Sequence, residues 1–244
     1  MAKVVHRLKR IFGRSAVEPI PPFKQFNDLN LLSPQELTEL LLFFEHQQLM
    51  ELVPDVQDKK VLLFSLAETD HFKEQILSKK PSVLIDFESD AEQKQFKPHL
   101  IKKTESYIKL KGELSALPLK SNIFDCLVMP CASLFQNNGE ASYPSCFKTL
   151  SNGGRLIISV IHPTLELFLY NQNPSSNFRI RTSFQYYLNM LKDHHLYLEN
   201  VVEAQVNQES RSFFIKSDDS SHFDDLLGIP LVLILRCVKF VRSE

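Results

Sequence analysis

Residues 61–72 read VLLFSLAETDHF, and the fold turns on how this stretch is interpreted. Its front half is a short apolar run of the kind that forms a strand buried on both faces, and the spacing predicts a strand over 60–66. Its back half, Thr69-Asp70-His71-Phe72, opens a helix predicted over 70–78. A strand, a tight turn and a helix near the front of an alternating chain commonly hold a nucleotide-like ligand. Such turns rely on glycine, because a Cβ blocks close backbone approach and left-handed φ angles. This turn contains no glycine.

Working outward, strands are expected at SVLIDF (82–87), 107–111, FDCLVM (124–129), 155–161, 198–206 and 231–241. Between them lie helix signals. Ser33-Pro34-Gln35-Glu36 is a capping box that starts a helix running to about Val53, where Pro54 stops it. Ser89-Asp90-Ala91-Glu92 is a second box, opening a helix through about His99. Pro144 to Leu150 is helical, and Asn152-Gly153-Gly154 turns the chain into the next strand. Strand–helix alternation of this kind predicts an α/β, Rossmann-like, mostly parallel sheet with helices on both faces.

The bulk composition narrows the function classes. A net charge of −1 provides no global field for nucleic acid or membrane, so any such affinity must be local. Six glycines in 244 residues fall well below the usual share of about 7 %, a shortage that bears directly on the quoted turn. Cys126, Cys131, Cys146 and Cys237 lack a disulfide-framework or zinc-knuckle spacing, so no metal site and a reducing, cytoplasmic setting are expected. No apolar run reaches the ~18 residues of a membrane span.

Residues 1–24 are set apart from a domain over 25–244. In MAKVVHRLKRIFGR, Val4, Val5, Leu8, Ile11 and Phe12 fall on one helical stripe, and Lys3, Arg7, Lys9, Arg10 and Arg14 occupy the rest. This pattern fits contact with an anionic membrane or a nucleic-acid backbone, an organelle presequence, or a terminal helix packed on the domain. Glu18-Pro19-Ile20-Pro21-Pro22 follows as a stiff linker.

Three further stretches, in order, carry a resemblance. KGELSALPLKSNIFDCLVM (111–129), CFKTLSNGGRLIISVIHP (146–163) and GIPLVLILRCVKF (228–240) resemble class I S-adenosylmethionine-dependent methyltransferases of the type 11 form. The resemblance implies a seven-stranded sheet whose last strand is antiparallel, with 164–193 as a lid or insertion over the substrate. It also implies a cofactor site. Asp86 would end strand two and accept from the ribose hydroxyls, Glu113-Leu114 would lie beside the adenine, and Met129 would close strand four at the site. The glycine loop would fall on Ser65, Ala67 and Thr69, and the acid preceding it on Leu63. All four key positions of that loop are altered, and Glu68 adds a negative charge beside the methionine carboxylate. His162, trailing strand five, is the candidate catalytic base, and the aromatic run over 184–190 a substrate lid.

Two functional readings follow. In one, the protein keeps the methyltransferase fold but has an eroded cofactor loop, and acts as a weak or inactive pseudoenzyme that binds a small molecule or protein partner. In the other, it is an active methyltransferase on a small molecule, holding S-adenosylmethionine in a non-standard way. A nucleic-acid partner is disfavoured by the neutral charge and the absence of aromatic-basic interleaving beyond the N-terminal segment.

Overall fold

The computed structural model describes residues 34–65, 70–89, 99–112, 117, 119–130, 142–165, 183–214, 223 and 227–241. The basic N-terminal segment and its linker, residues 66–69, the predicted helix over 90–98, Glu113, Leu114, Cys131 and most of the expected lid lie outside these residues.

The described residues form one sheet of eight strands. In chain order these are β1 (Lys60–Ser65), β2 (Val83–Ser89), β3 (His99–Lys103), β4 (Tyr107–Gly112), β5 (Phe124–Met129), β6 (Leu150–Ile161), β7 (Leu196–Gln205) and β8 (Pro230–Lys239). Their spatial order is β3-β4-β2-β1-β5-β6-β8-β7. The five strands from β4 to β6 run parallel, and β8 inserts antiparallel between β6 and β7. The expected seven strands and the antiparallel last strand are all present. The eighth, β3, is a correction. The second capping box predicts a helix through about His99, whereas His99 starts a short strand antiparallel to β4.

Burial on both faces explains the centre of the sheet. Val61, Leu62, Leu63 and Phe64 of β1 are all fully enclosed, since alternate side chains point to opposite faces and each face is covered. Val61 and Leu63 join Leu84, Cys126, Val128 and Ile157 in one apolar layer. That layer packs under α1 (Pro34–Leu52) and α2 (Asp70–Ser78), through Leu40, Phe44, Leu49, Phe72 and Ile76. Leu62 and Phe64 join Phe87, Leu127, Met129 and Ile158 on the opposite face. There α3 (Ser142–Thr149) and α4 (Phe184–Asp193) contribute Cys146, Phe147, Tyr187 and Leu191. Ser183 caps α4, its side chain accepting from the Tyr186 N–H.

The amino-terminal ends of the parallel strands are pinned by polar contacts. The Lys60 N–H donates to Asp125 Oδ2 at 2.9 Å, tying the start of β1 to β5. The buried Lys239 ammonium donates to Asn122 Oδ1 (3.1 Å), the Phe147 carbonyl (3.1 Å) and the Leu150 carbonyl (2.7 Å). This joins the last strand to the turn before β5 and to the α3–β6 junction. Burial holds this ammonium below its ordinary pKa of 10.5. Asn152 then pairs with the Val241 backbone, accepting from its N–H at 3.0 Å.

The Gly153-Gly154 pair has two different causes. Gly153 takes φ +79°, a left-handed turn conformation. At Gly154 a Cβ would lie 2.9 Å from the Ser151 carbonyl oxygen and 3.1 Å from the Asp125 carbonyl oxygen, so backbone crowding excludes a side chain. The substitution Gly154→Ala is expected to cost about 1–3 kcal/mol, the usual range for overpacking. Urea denaturation followed by circular dichroism measures it, and an unchanged midpoint would show that the junction yields freely.

Candidate functional site

In a sheet of this order, β2 and β5 flank β1 and their connections leave in opposite directions, so the cleft forms at the carboxyl ends of the strands. Register decides which residues stand level there. Ser65 of β1 lies opposite Glu88 of β2, and Glu88 opposite Lys111 of β4. Two residues further in, Leu63 lies opposite Asp86, and Asp86 opposite Lys109.

This register corrects the position expected for Asp86. The second strand does not end there but continues to Ser89, so Asp86 sits in mid-strand. Its side chain is buried, and Tyr107 Oη donates to Oδ2 at 2.8 Å. The acid nearest the carboxyl end of β2 is Glu88. Its two oxygens face two ammonium groups, Lys109 Nζ at 2.9 Å and Lys111 Nζ at 3.0 Å. Partial burial pushes the Glu88 carboxyl up, but the hydrogen bonds and charges of both lysines outweigh this and leave it below 4.5. The sequence did carry a signal for the cluster. Asp86-x-Glu88 and Lys109-x-Lys111 share the two-residue period that puts both members of each pair on one strand face.

The remaining candidates separate clearly. Leu63, where the resemblance puts the loop's acid, is sealed in the apolar layer. Ser65 closes β1, while Ala67, Thr69, Glu113 and Leu114 lie outside the described residues. Met129 ends β5 with its side chain fully enclosed among Phe64, Leu127 and Ile158. Glu45 was not singled out by the sequence. It is fully buried on α1, where the Ser159 hydroxyl of β6 donates to its carboxylate. Its place four residues after Leu41 and four before Leu49 puts an acid on the buried helical stripe.

His162 follows β6 at the same end of the sheet. The Thr164 N–H donates to His162 Nδ1 at 3.2 Å, and Nε2 lies 3.3 Å from Glu203 Oε1 on β7. A ring nitrogen that accepts is unprotonated, so this pattern specifies the neutral Nε2–H tautomer, with Nε2–H donating to Glu203. The lone pair a general base would use is committed to Thr164. Burial also lowers the His162 pKa from 6.5, with the Glu203 hydrogen bond and charge pulling partly back. His194 is lowered as well, again chiefly by burial.

These two shifts set a pH dependence. The unfolded chain takes up both protons at a higher pH than the folded chain. The stability from keeping the rings neutral is therefore complete above the unfolded value and lost as pH falls through the folded values. Urea unfolding should show stability declining as pH drops from about 7.5 to about 5, with a shallower decline in His162→Gln. Nitrogen-15 spectra at neutral pH should show Nδ1 unprotonated, and a protonated Nδ1 would contradict the placement.

With β3 set aside, the strand order, the antiparallel β8 and the cleft at the switch point are those of the class I S-adenosylmethionine-dependent methyltransferase fold. Solved structures agree. An S-adenosylmethionine-dependent methyltransferase from Mesorhizobium loti matches over 80 % of this chain and 98 % of its own, with TM-score 0.58 and 13 % identity. A chain in the complex between the Haloferax volcanii Trm112 methyltransferase activator and a methyltransferase matches over 90 % and 96 %, with TM-score 0.61 and 11 % identity. Geranyl diphosphate methyltransferase in complex with S-adenosylmethionine matches over 91 % and 93 %, with TM-score 0.53 and 9 % identity. No family model matches the sequence, and no curated protein does.

Proposed function

We propose that this chain is a methyltransferase-fold protein with an eroded S-adenosylmethionine site, acting by binding a small molecule or protein partner, with weak or no methyl transfer. The observation that carries this reading is Leu63. The residue at the position of an ammonium-holding acid is an apolar side chain sealed into the sheet core. The three glycine positions after it are serine, alanine and threonine. At the cofactor's ribose end, the oxygens of Glu88 are engaged by Lys109 and Lys111, and Asp86 is engaged by Tyr107. A ribose diol would have to displace these partners, and the lysines would then lose their counter-charge.

The second reading, an active small-molecule methyltransferase with a shifted cofactor, is favoured by one finding: a structure of the same fold holds S-adenosylmethionine at 9 % identity to this chain. In that case Ser65 and Thr69 would supply hydroxyl donors in place of glycine backbone. A protein partner is part of the first reading, and a chain of this fold in complex with a methyltransferase activator supports it. The buried thiols of Cys126 and Cys237 suit a reducing compartment.

Calorimetric titration with S-adenosylmethionine separates the readings. Heat with micromolar affinity, lost in Asp86→Ala or Glu88→Ala, would overturn the eroded-site reading. The expected result is no saturable heat for the native chain, and measurable binding once Ser65, Ala67 and Thr69 are all returned to glycine. We also propose that residues 1–14 give peripheral contact with anionic membrane, through the apolar stripe and its five cations. Sedimentation with phosphatidylserine vesicles should retain the full chain and release one lacking residues 1–14. Equal retention of both would place the contact elsewhere.

A further inference from the structure

The two edges of the sheet are treated differently. β3 is a short edge of five residues, bears Lys102 and Lys103, and is interrupted by a bulge between Leu100 and Lys102. Lysines, shortness and a bulge are the usual devices that keep an edge from pairing with another chain. β7, the opposite edge, is ten residues long, LYLENVVEAQ, and contains no lysine, arginine or proline. It exposes Tyr197 (51 %), Leu198 (38 %) and Val201 (37 %), and beside its start, where the Phe240 N–H donates to the His195 carbonyl, Phe240 and Val241 are exposed too.

We propose that β7 pairs antiparallel with β7 of a second copy of this chain, about a twofold axis between Glu199 and Asn200. The strand is self-complementary in that register. Leu198 falls opposite Val201 of the second copy, Tyr197 opposite Val202, Glu199 opposite Asn200, and Leu196 opposite Glu203. Each exposed apolar residue meets another apolar one, and no like charges lie opposite each other, an arrangement that stabilises cross-strand pairs. The register also respects the bulge in β7 between Leu198 and Asn200. Leu196 belongs to the layer under α3 and α4, and Val202 packs against the layer under α1. With the bulges of both strands aligned at the axis, each pair keeps its members on one face of the joined sheet.

Charge favours a second copy over a basic partner. Glu199 is already neutralised by Arg155 and Arg236, at 3.0 and 3.1 Å, which leaves Glu203, hydrogen-bonded to the neutral His162, as the other charged residue of β7. The area sets the strength. Ten residues give about 34 Å of edge, so the pairing falls towards the low end of specific interfaces, below about 1,200 Å² in total. An interface of that size fits a weak, reversible dimer.

Sedimentation velocity on the full chain, across a micromolar concentration series, tests this. The expected result is concentration-dependent dimerisation in the native chain and a monomer throughout in Leu198→Lys/Val201→Lys. Both positions are exposed, and an unchanged circular dichroism spectrum and melting temperature check that the variant is folded. A second check uses cross-linking. Leu198→Cys/Val201→Cys should form an intermolecular disulfide on mild oxidation. A native chain that stays monomeric across the series would overturn the proposal. So would a dimer that the lysine pair leaves intact, or one abolished instead by Leu100→Lys on β3.

Discussion

Complete burial of β1 on both faces is the constraint from which the rest of the structure follows. Four consecutive residues, Val61 to Phe64, are shielded from water above and below, which is possible only if two strands flank them and helices cover both faces. At about 25 cal/mol per Å² of apolar area removed from water, side chains of this size contribute roughly 1.5–3 kcal/mol each. Parallel pairing with β2 and β5 requires crossover connections, and these connections create the switch point at the carboxyl ends. The same constraint determines the fate of Leu63. At the centre of the sheet an apolar side chain improves the core, whereas an acid at that position has to be compensated by a ligand or a partner. On the proposed reading, an apolar residue at this position would weaken a cofactor site and strengthen the fold at once.

A related trade operates at the end of β2. Asp86 and Glu88 occupy the strand face that two acids could present to a polar ligand, yet each has a protein partner, Tyr107 for one and the two lysines of β4 for the other. Buried or half-buried carboxylates need such partners, and a chain that supplies them internally no longer depends on a ligand to do so. His162 follows the same pattern, with both ring nitrogens engaged by Thr164 and Glu203. Asp86, Glu88 and His162, at or near this end of the sheet, are thus each paired within the protein.

Much of the architecture was legible in the sequence. Apolar runs at 61–64, 124–129 and 231–235 mark strands buried on both faces, because burial acts locally there. Gly153-Gly154, expected to turn the chain into a strand from 155, instead lies inside β6, at the irregularity between its pairing at Leu150 and its ladder from Arg155. The site was less legible. Where a strand ends depends on its neighbours, and β2 extends past Asp86 because β4 continues beside it through Lys111 and Gly112. β3 was missed because its five residues, HLIKK, lack strand alternation and gain their pairing only from β4. Glu45 was hidden because helical periodicity places it on the buried face without naming its partner, which lies 114 residues further along the chain. The tautomer of His162 likewise depends on contacts that no local pattern encodes.

On the proposed reading, the acids of β2 are held by protein partners in place of a cofactor. A crystal structure of the full chain grown in saturating S-adenosylmethionine tests it most directly. The account predicts no cofactor density in the cleft, with Lys109 and Lys111 still on Glu88 and Tyr107 still on Asp86. An ordered cofactor whose ribose hydroxyls have displaced either set of partners would contradict it.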